Sequence, residues 1–128
     1  MKILSYRFLS GVNVYAYSPV LEVDIDLEKY DQVESRDVPG FNESLLAYYP
    51  GLAEHGCSYG FKGGFLQRLR EGTYFSHIIE HLCLEIQAGL GQDVYYGKSI
   101  WQKGSCYKII VEYQVEEIGL FAFRAAFR

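Results

Sequence analysis

The stretch from Thr73 to Gly91 constrains the fold more than any other part of the chain. Its apolar residues recur at the i, i+3, i+4 and i+7 positions that make one stripe along a helix. They are Phe75, Ile78, Ile79, Leu82, Cys83, Ile86 and Leu90. Thr73 is a suitable amino-terminal cap, and Gly89 or Gly91 a suitable stop. The pattern predicts an amphipathic helix that buries this stripe.

Four stretches of alternating or apolar character predict an antiparallel sheet. Leu21 to Leu27 alternates strictly between apolar and acidic residues, which is typical of a half-buried strand. Ile3 to Leu9 alternates more loosely and, with Val12 to Tyr17, suggests a meander or hairpin. Tyr107 to Val115 reads as a well-buried strand.

Two further helices are predicted, from Phe41 to Tyr49 and from Glu116 to Phe127. The glycine-rich segment 56–65 has neither spacing of a nucleotide-binding loop, so we interpret it as a tight structural connection and expect no nucleotide here. The sequence contains no internal repeat or linker. We therefore predict an α+β fold, with a small antiparallel sheet packed against a few helices, in a single domain over residues 1–128.

Composition narrows the class of protein. Hydrophobic residues make up 49% and charged residues 22% of the chain, which is typical of a globular domain. The formal net charge of −4 argues against a general nucleic-acid binder. Three cysteines without framework spacing indicate reduced thiols in a cytoplasmic protein. The amino-terminal residues lack the apolar core of a signal peptide, and the chain lacks a membrane span.

The pentapeptide HIIEH at residues 77–81 is the clearest candidate for chemistry. At about 100° per residue, one face of the predicted helix lies opposite the apolar stripe. That face carries His77, Glu80, His81, Leu84, Glu85 and Ala88. Histidines four residues apart can share one metal ion, and the Glu80 carboxylate can take a proton from a metal-bound water. HxxEH is a zinc-peptidase motif, although five residues of common types also recur by chance on solvated helices.

A catalytic zinc site needs a third donor, and the sequence leaves it open. Glu85 follows His81 by four residues but lies about 12 Å along the axis from His77, so it is either a fallback ligand or an orienting partner. Glu112, on the late strand, could reach the site from across the fold. Alternatively, His55 and Cys57 could join His77 and His81 in a closed, structural zinc site.

The run from Glu54 to Gln87 resembles the N-terminal domain of cyanophycin synthetases, whose pattern there is close to CSxGxxGGFxxRLxxGTxxGHxxEHxxLELQ. Flanking segments VPGF at 38–41, VEYQVEE at 111–117 and FRAAF at 123–127 agree as well. The chain departs from the pattern at Ser76 and Ile86. Matching positions are Cys57, Ser58, Gly60, Gly63, Gly64, Phe65, Arg68, Leu69, Gly72, Thr73, His77, Glu80, His81, Leu84, Glu85 and Gln87.

This resemblance implies a domain that works beside ATP-grasp and Mur-ligase-like domains, which add aspartate and arginine to a poly-aspartate polymer. It implies binding of cyanophycin and, in some members, metal-dependent cleavage that makes primers. Neither ligase domain is present here, so we expect either an excised domain or a free-standing homologue. In the full-length context we expect a homo-oligomer. Arg68, Arg70 and Ser58 are assigned to substrate binding, the arginines as clamps for substrate carboxylates.

Three functions therefore follow from the sequence. The first is a hydrolase with zinc on His77, His81 and a third carboxylate, and with Glu80 as the base. The second is a polymer-binding or tethering module without hydrolase activity, in which the helix only forms part of the binding surface. The third is an architectural domain with the closed zinc site.

Overall fold

The computed structural model describes residues 1–56 and 62–127. Over these residues the chain has the predicted α+β fold, with one four-stranded antiparallel sheet and four α-helices. The strands are β1 (Lys2–Leu9), β2 (Val20–Asp26), β3 (Gly97–Lys103) and β4 (Cys106–Glu112). The helices are α1 (Phe41–Tyr48), α2 (Gly64–Glu71), α3 (Phe75–Gly89) and α4 (Glu116–Ala126). Short 3-10 turns occur at Glu28–Tyr30, Ser35–Asp37 and Pro50–Glu54.

The sheet has the strand order β1-β2-β4-β3, which places β3 at an edge. Alternate residues of β2 and β4 point to one face and are covered there by α3 and α4. This arrangement explains the strict alternation seen in the sequence of β2. The main core consists of Leu21, Val23, Ile25, Leu27, Ile79, Cys83, Leu84, Val94, Ile109, Val111, Tyr113, Ala122, Phe123 and Ala126.

The predicted strand from Val12 to Tyr17 is wrong, because these residues form a series of bends and not a strand. The Asn13 side chain holds the bends together. Its carbonyl oxygen accepts hydrogen bonds from the backbone amides of Tyr15 and Ala16, and its amide group donates to the carbonyl of Ser18. Asparagine competes well for such local hydrogen bonds, and here they replace those of a sheet ladder.

Helix α3 spans nearly the predicted residues, but its start and its polar face differ from the prediction. The cap position is Tyr74, without a side-chain hydrogen bond, and Thr73 contacts His77 instead. Glu80 and His81, predicted on a solvated face, are only 6% and 5% exposed. They are buried because Phe65 of α2 and the start of β3 cover that side of the helix.

Two structural elements were missed in the sequence, namely α2 and β3. Together with α1 and the 3-10 turn 50–54, α2 forms a second small core around Ile78 of α3. This core contains Leu45, Leu52, Phe65, Leu69 and Ile78. Its position holds α2 and the end of the turn over the polar side of α3.

Among the described residues, no helix combines the length and apolar character needed to cross a bilayer.

On the sheet, the Glu22 carboxylate of β2 is buried in a charged cluster. It accepts hydrogen bonds from Arg7 Nε at 2.8 Å and Tyr15 OH at 2.7 Å, and Lys108 Nζ lies 3.5 Å away. Burial raises the pKa of this carboxyl, but these hydrogen bonds and charges outweigh burial and hold the pKa below its ordinary value of 4.5. Glu22 therefore stabilises the fold above that pH, and the contribution is lost as the pH falls below it.

We expect Glu22→Gln to lower the free energy of unfolding at neutral pH by about 1–3 kcal/mol, the usual range for hydrogen bonds to a charged group. The difference from wild type should shrink at a strongly acidic pH, well below 4.5, because the wild-type carboxyl then becomes protonated. Urea unfolding at both pH values measures this. An equal difference at the two values would contradict the assigned role of the Glu22 charge.

Candidate metal centre

His77, Glu80 and His81 come together on the amino-terminal half of α3. One potential ligand atom from each residue lies within 4.8 Å of the other two. The helical spacing of three and four residues produces this grouping, since such residues are neighbours on a helix surface. Two imidazoles are donors that zinc accepts, and the carboxylate beside them lies where it can act on a metal-bound water. The residues present therefore fit the predicted metal.

Burial controls the electrostatics of this group. Burial raises the pKa of Glu80 to about 8. Burial, with a contribution from the charge of Arg68, lowers the pKa of His77 to about 4. Burial again, with His77, His55 and Arg68, lowers the pKa of His81 to about 2. The imidazoles are therefore neutral at neutral pH, the state in which they can act as metal ligands.

Each imidazole of the group also contacts a polar partner outside the group. Thr73 Oγ1 lies 2.9 Å from His77 Nδ1. His81 Nδ1 lies 3.0 Å from His55 Nδ1, and His55 Nε2 lies 3.0 Å from a carboxylate oxygen of Glu85. Outer partners of this kind fix ring orientation and tautomer in metal sites.

The contacts of His55 determine a consistent set of tautomers. The Glu85 carboxylate can only accept, so His55 Nε2 carries the proton and donates to it. In the neutral form of His55, Nδ1 is then an acceptor, and His81 Nδ1 donates to it. This leaves the lone pair of His81 on Nε2, which lies 3.6 Å from the Glu80 carboxylate. We call Glu85, His55 and His81 the histidine relay.

Two glycines leave room for these carboxylates. A Cβ atom at Gly97 of β3 would lie 2.8 Å from Glu80 Cγ and 2.9 Å from its Oε2. A Cβ atom at Gly51 would overlap the Glu85 carboxylate. The close approach of the backbone at these two positions therefore sets where Glu80 and Glu85 lie.

The group opens onto a cleft of about 690 Å³. The amino-terminal half of α3 forms one wall, and residues 95–99 form the other. Arg68 of α2 also lines this cleft, with Thr73, Tyr74 and Ser76. Tyr95 is 82% exposed at its rim. Glu80 is thus buried against the protein and reachable from the cleft.

The remaining residues predicted for the site have varied positions. Glu85 belongs to the histidine relay, and the Glu112 carboxylate accepts hydrogen bonds from the backbone amides of Tyr95 and Tyr96 at 2.6 and 3.1 Å. Neither belongs to the three-residue group, so the third ligand stays a prediction. Arg70 is exposed on α2 and is not one of the residues that line the cleft.

Ser58 and Cys57 lie outside the described residues. The closed zinc site requires Cys57, so it stays a prediction.

The sequence did not predict the orienting role of Thr73 or the close approach of Gly97 to Glu80. Thr73 precedes His77 by four residues, a spacing that places the two side chains together on a helix. Gly97 was not predicted, because the sequence pattern did not indicate the strand β3 that carries it.

Replacing His55 tests the histidine relay. We expect His55→Leu to weaken zinc binding by about 10–100-fold, the usual cost of losing an outer partner. His55→Gln should retain most of the affinity, because its amide oxygen can accept from His81 and its amide group can donate to Glu85. Competition with a zinc chelator measures the dissociation constants. Equal affinity in all three proteins would contradict the relay, and an equal loss in both variants would indicate that His55 is itself a ligand.

The comparisons with known proteins agree with the resemblance read from the motifs. Residues 22–128 match the family described as the cyanophycin synthase-like N-terminal domain. The whole chain is 40% identical to a cyanophycin synthetase of Synechocystis and covers 15% of that protein. It is 39% identical, again over the whole chain, to the cyanophycin synthetases of Geminocystis herdmanii and Trichormus variabilis, of which it covers 15% and 14%.

The fold and the site thus define the class of protein. It is a small α+β domain with a His-Glu-His group in a cleft. This chain belongs to the family of cyanophycin synthetase N-terminal domains, which confirms the resemblance. It spans only 14–15% of the length of these curated relatives.

Proposed function

We propose that this domain binds the cyanophycin polymer and cleaves it by metal-dependent hydrolysis, so that the fragments serve as primers for polymerisation. The observation that supports the proposal is the group of half-buried His77 and buried Glu80 and His81, which lines an open cleft. The three residues are spaced as in the HxxEH zinc peptidases. We further propose that the domain acts in the cytoplasm, beside ATP-grasp and Mur-ligase-like domains in a homo-oligomer.

His77 and His81 would hold the zinc ion, which when bound supplies Lewis acidity and a lowered pKa for its water. The histidine relay and Thr73 orient the two imidazoles so that their outer nitrogens are already engaged. Preorganised ligands of this kind need no rearrangement when the metal binds.

Glu80 is proposed as the general base and acid. Burial alone leaves most of Glu80 protonated at neutral pH, and a cation held by His77 and His81 would favour its ionised form. The ionised carboxylate takes a proton from the attacking water and then delivers that proton to the leaving amine of the polymer. Burial of Glu80 between α3 and Gly97 restricts its carboxylate to the base of the cleft. This position suits proton transfer, because a general base must be held within hydrogen-bond reach of the water whose proton it takes.

Arg68 is proposed to bind a carboxylate of the substrate, since it lines the cleft and its charge acts on both histidines. Arg70 and Ser58 remain proposed for substrate binding. Arg70 does not line the cleft, and Ser58 lies outside the described residues. The third zinc ligand stays proposed from Glu85 or Glu112. The contacts of these two residues favour instead an orienting role for Glu85 and support of the cleft wall for Glu112.

A binding module without hydrolase activity is the second candidate. The cleft rim favours it, because exposed Tyr95 and the exposed Lys98 offer an aromatic ring and a cation to a polymer that carries guanidinium and carboxylate groups. Binding of polymer without metal, with no shortening when zinc is added, would favour this candidate.

The experiment that separates the two functions supplies cyanophycin and zinc to the wild type and to Glu80→Gln. Polymer chain length is followed over time. Shortening by the wild type alone supports the hydrolase, and equal rates in the two proteins would refute the role of Glu80.

A further inference from the structure

The outer edge of β3 carries backbone groups that the sheet does not use. Strand β3 pairs with β4 on one side, and no other described strand pairs with it. Antiparallel ladders alternate, so that every second residue directs both its N–H and its C=O toward the partner strand. The remaining residues direct these groups away from it.

The hydrogen bonds of the ladder show which residues point outward. The Tyr96 carbonyl accepts from the Glu112 amide at 2.9 Å, so Tyr96 faces β4. With Gly97 opposite Val111 and Lys98 opposite Ile110, the alternation turns the amide and carbonyl groups of Gly97 and Ser99 outward. These outward groups repeat every two residues, the period of an extended peptide.

The outward-facing residues lie beside the His-Glu-His group. Gly97, Lys98 and Ser99 all line the cleft that contains His77, Glu80 and His81. Gly97 also packs directly against the Glu80 side chain. A chain that follows this edge therefore passes next to the carboxylate proposed as the base.

We propose that the edge of β3 at Gly97 and Ser99 is the subsite for the main chain of the substrate. An extended polyamide backbone, such as that of poly-aspartate, adds to the sheet as a fifth strand, with its side groups directed to Lys98 and the tyrosines of the rim. This pairing fixes the register of the backbone at the cleft, and it depends on the proposed function for the identity of the substrate. The main-chain groups supply affinity, and the side-chain contacts supply specificity.

Ser99→Pro tests this subsite, with Ser99→Ala as the matched control. Proline removes the outward N–H of residue 99 without removing a hydrogen bond of the ladder, and edge strands tolerate proline at such positions. The probe is a short cyanophycin segment, bound to proteins that also carry Glu80→Gln, so that nothing is cut. We expect Ser99→Pro to weaken binding by roughly tenfold, as loss of one hydrogen bond does, and Ser99→Ala to bind as tightly as the unaltered edge.

A second arm alters the probe and not the protein. The same segment methylated at its backbone amides cannot donate to the carbonyls of Gly97 and Ser99, and we expect it to bind roughly 100-fold more weakly, tenfold for each hydrogen bond lost. Thermal unfolding and zinc affinity of Ser99→Pro establish that the variant is folded. If it is not, the methylated probe decides.

Equal binding of folded Ser99→Pro and Ser99→Ala, or undiminished binding of the methylated probe, would overturn the proposed subsite. These measurements use equilibrium binding and do not require cleavage. A wild type that binds through the edge but never shortens the polymer would refute the hydrolase and leave the subsite standing. A wild type that cuts the polymer while edge changes have no effect would refute the subsite alone.

Discussion

Glu80→Gln should lower the rate of cyanophycin hydrolysis by roughly 10²–10⁴-fold, the usual contribution of a positioned general base. The amide has nearly the same shape as the carboxyl group, so the contact with Gly97 should be kept. It cannot accept the proton of the attacking water, which is the step assigned to Glu80. The initial rate of polymer shortening at saturating zinc is the measurement.

The matched control is Glu117→Gln, which makes the same change on the exposed first turn of α4. This control should hydrolyse the polymer at the wild-type rate. Zinc content of Glu80→Gln should be measured in parallel, because a variant that loses the metal would indicate that Glu80 is a ligand. A rate within a few-fold of wild type in zinc-loaded Glu80→Gln would contradict the assignment of the base.

Substituting His77 should abolish stoichiometric zinc binding. His77 supplies one of only two imidazoles in the group, so its loss should weaken zinc binding by more than the roughly 10–100-fold expected for an outer partner. Hydrolysis should fall with the zinc content. Elemental analysis of protein purified with added zinc, with chelator competition for the affinity, measures the effect.

Two replacements separate ligation from packing at this position. The His77 ring packs edge-on against Phe65, with ring centroids 5.2 Å apart. His77→Phe keeps an aromatic ring there and removes both nitrogens, whereas His77→Ala also removes the ring contact. We expect the two variants to lose zinc equally and His77→Phe to be the more stable. Zinc retained by folded His77→Phe would contradict the assignment of His77 as a ligand.

The sequence was sufficient for the helix and for the grouping on it, because both depend on local spacing. The apolar stripe of α3 predicted the helix, and the spacing of His77, Glu80 and His81 predicted that they are neighbours. Strict alternation in β2 likewise predicted a strand, since one of its faces is covered by helices. The family resemblance followed from the same central run and is confirmed by the comparisons.

Burial of the site could not be read from α3 alone. The helix periodicity placed Glu80 and His81 opposite the apolar stripe and so predicted contact with solvent. Their burial comes from two segments distant in sequence, α2 with Phe65 and β3 with Gly97. The histidine relay has the same origin, since His55 reaches His81 only through the position of the 3-10 turn that precedes it.

Strand β3 was missed because its sequence, GKSIWQK, is mostly polar. An edge strand with one exposed side needs few apolar residues, so its pattern is weak. The segment around Asn13 shows the opposite error, because its alternation resembled that of a strand while side-chain hydrogen bonds held it in bends. Both outcomes depend on partners that local sequence patterns do not contain.

The most direct test of the central claim is the chain length of cyanophycin incubated with the purified domain, with zinc and with a zinc chelator. Metal-dependent hydrolysis at this site requires about one zinc per chain and progressive shortening that stops when the chelator is added and resumes when zinc is restored. Polymer that keeps its full length with the zinc-loaded wild type, or shortening that continues unchanged in chelator, would contradict metal-dependent hydrolysis at His77, Glu80 and His81.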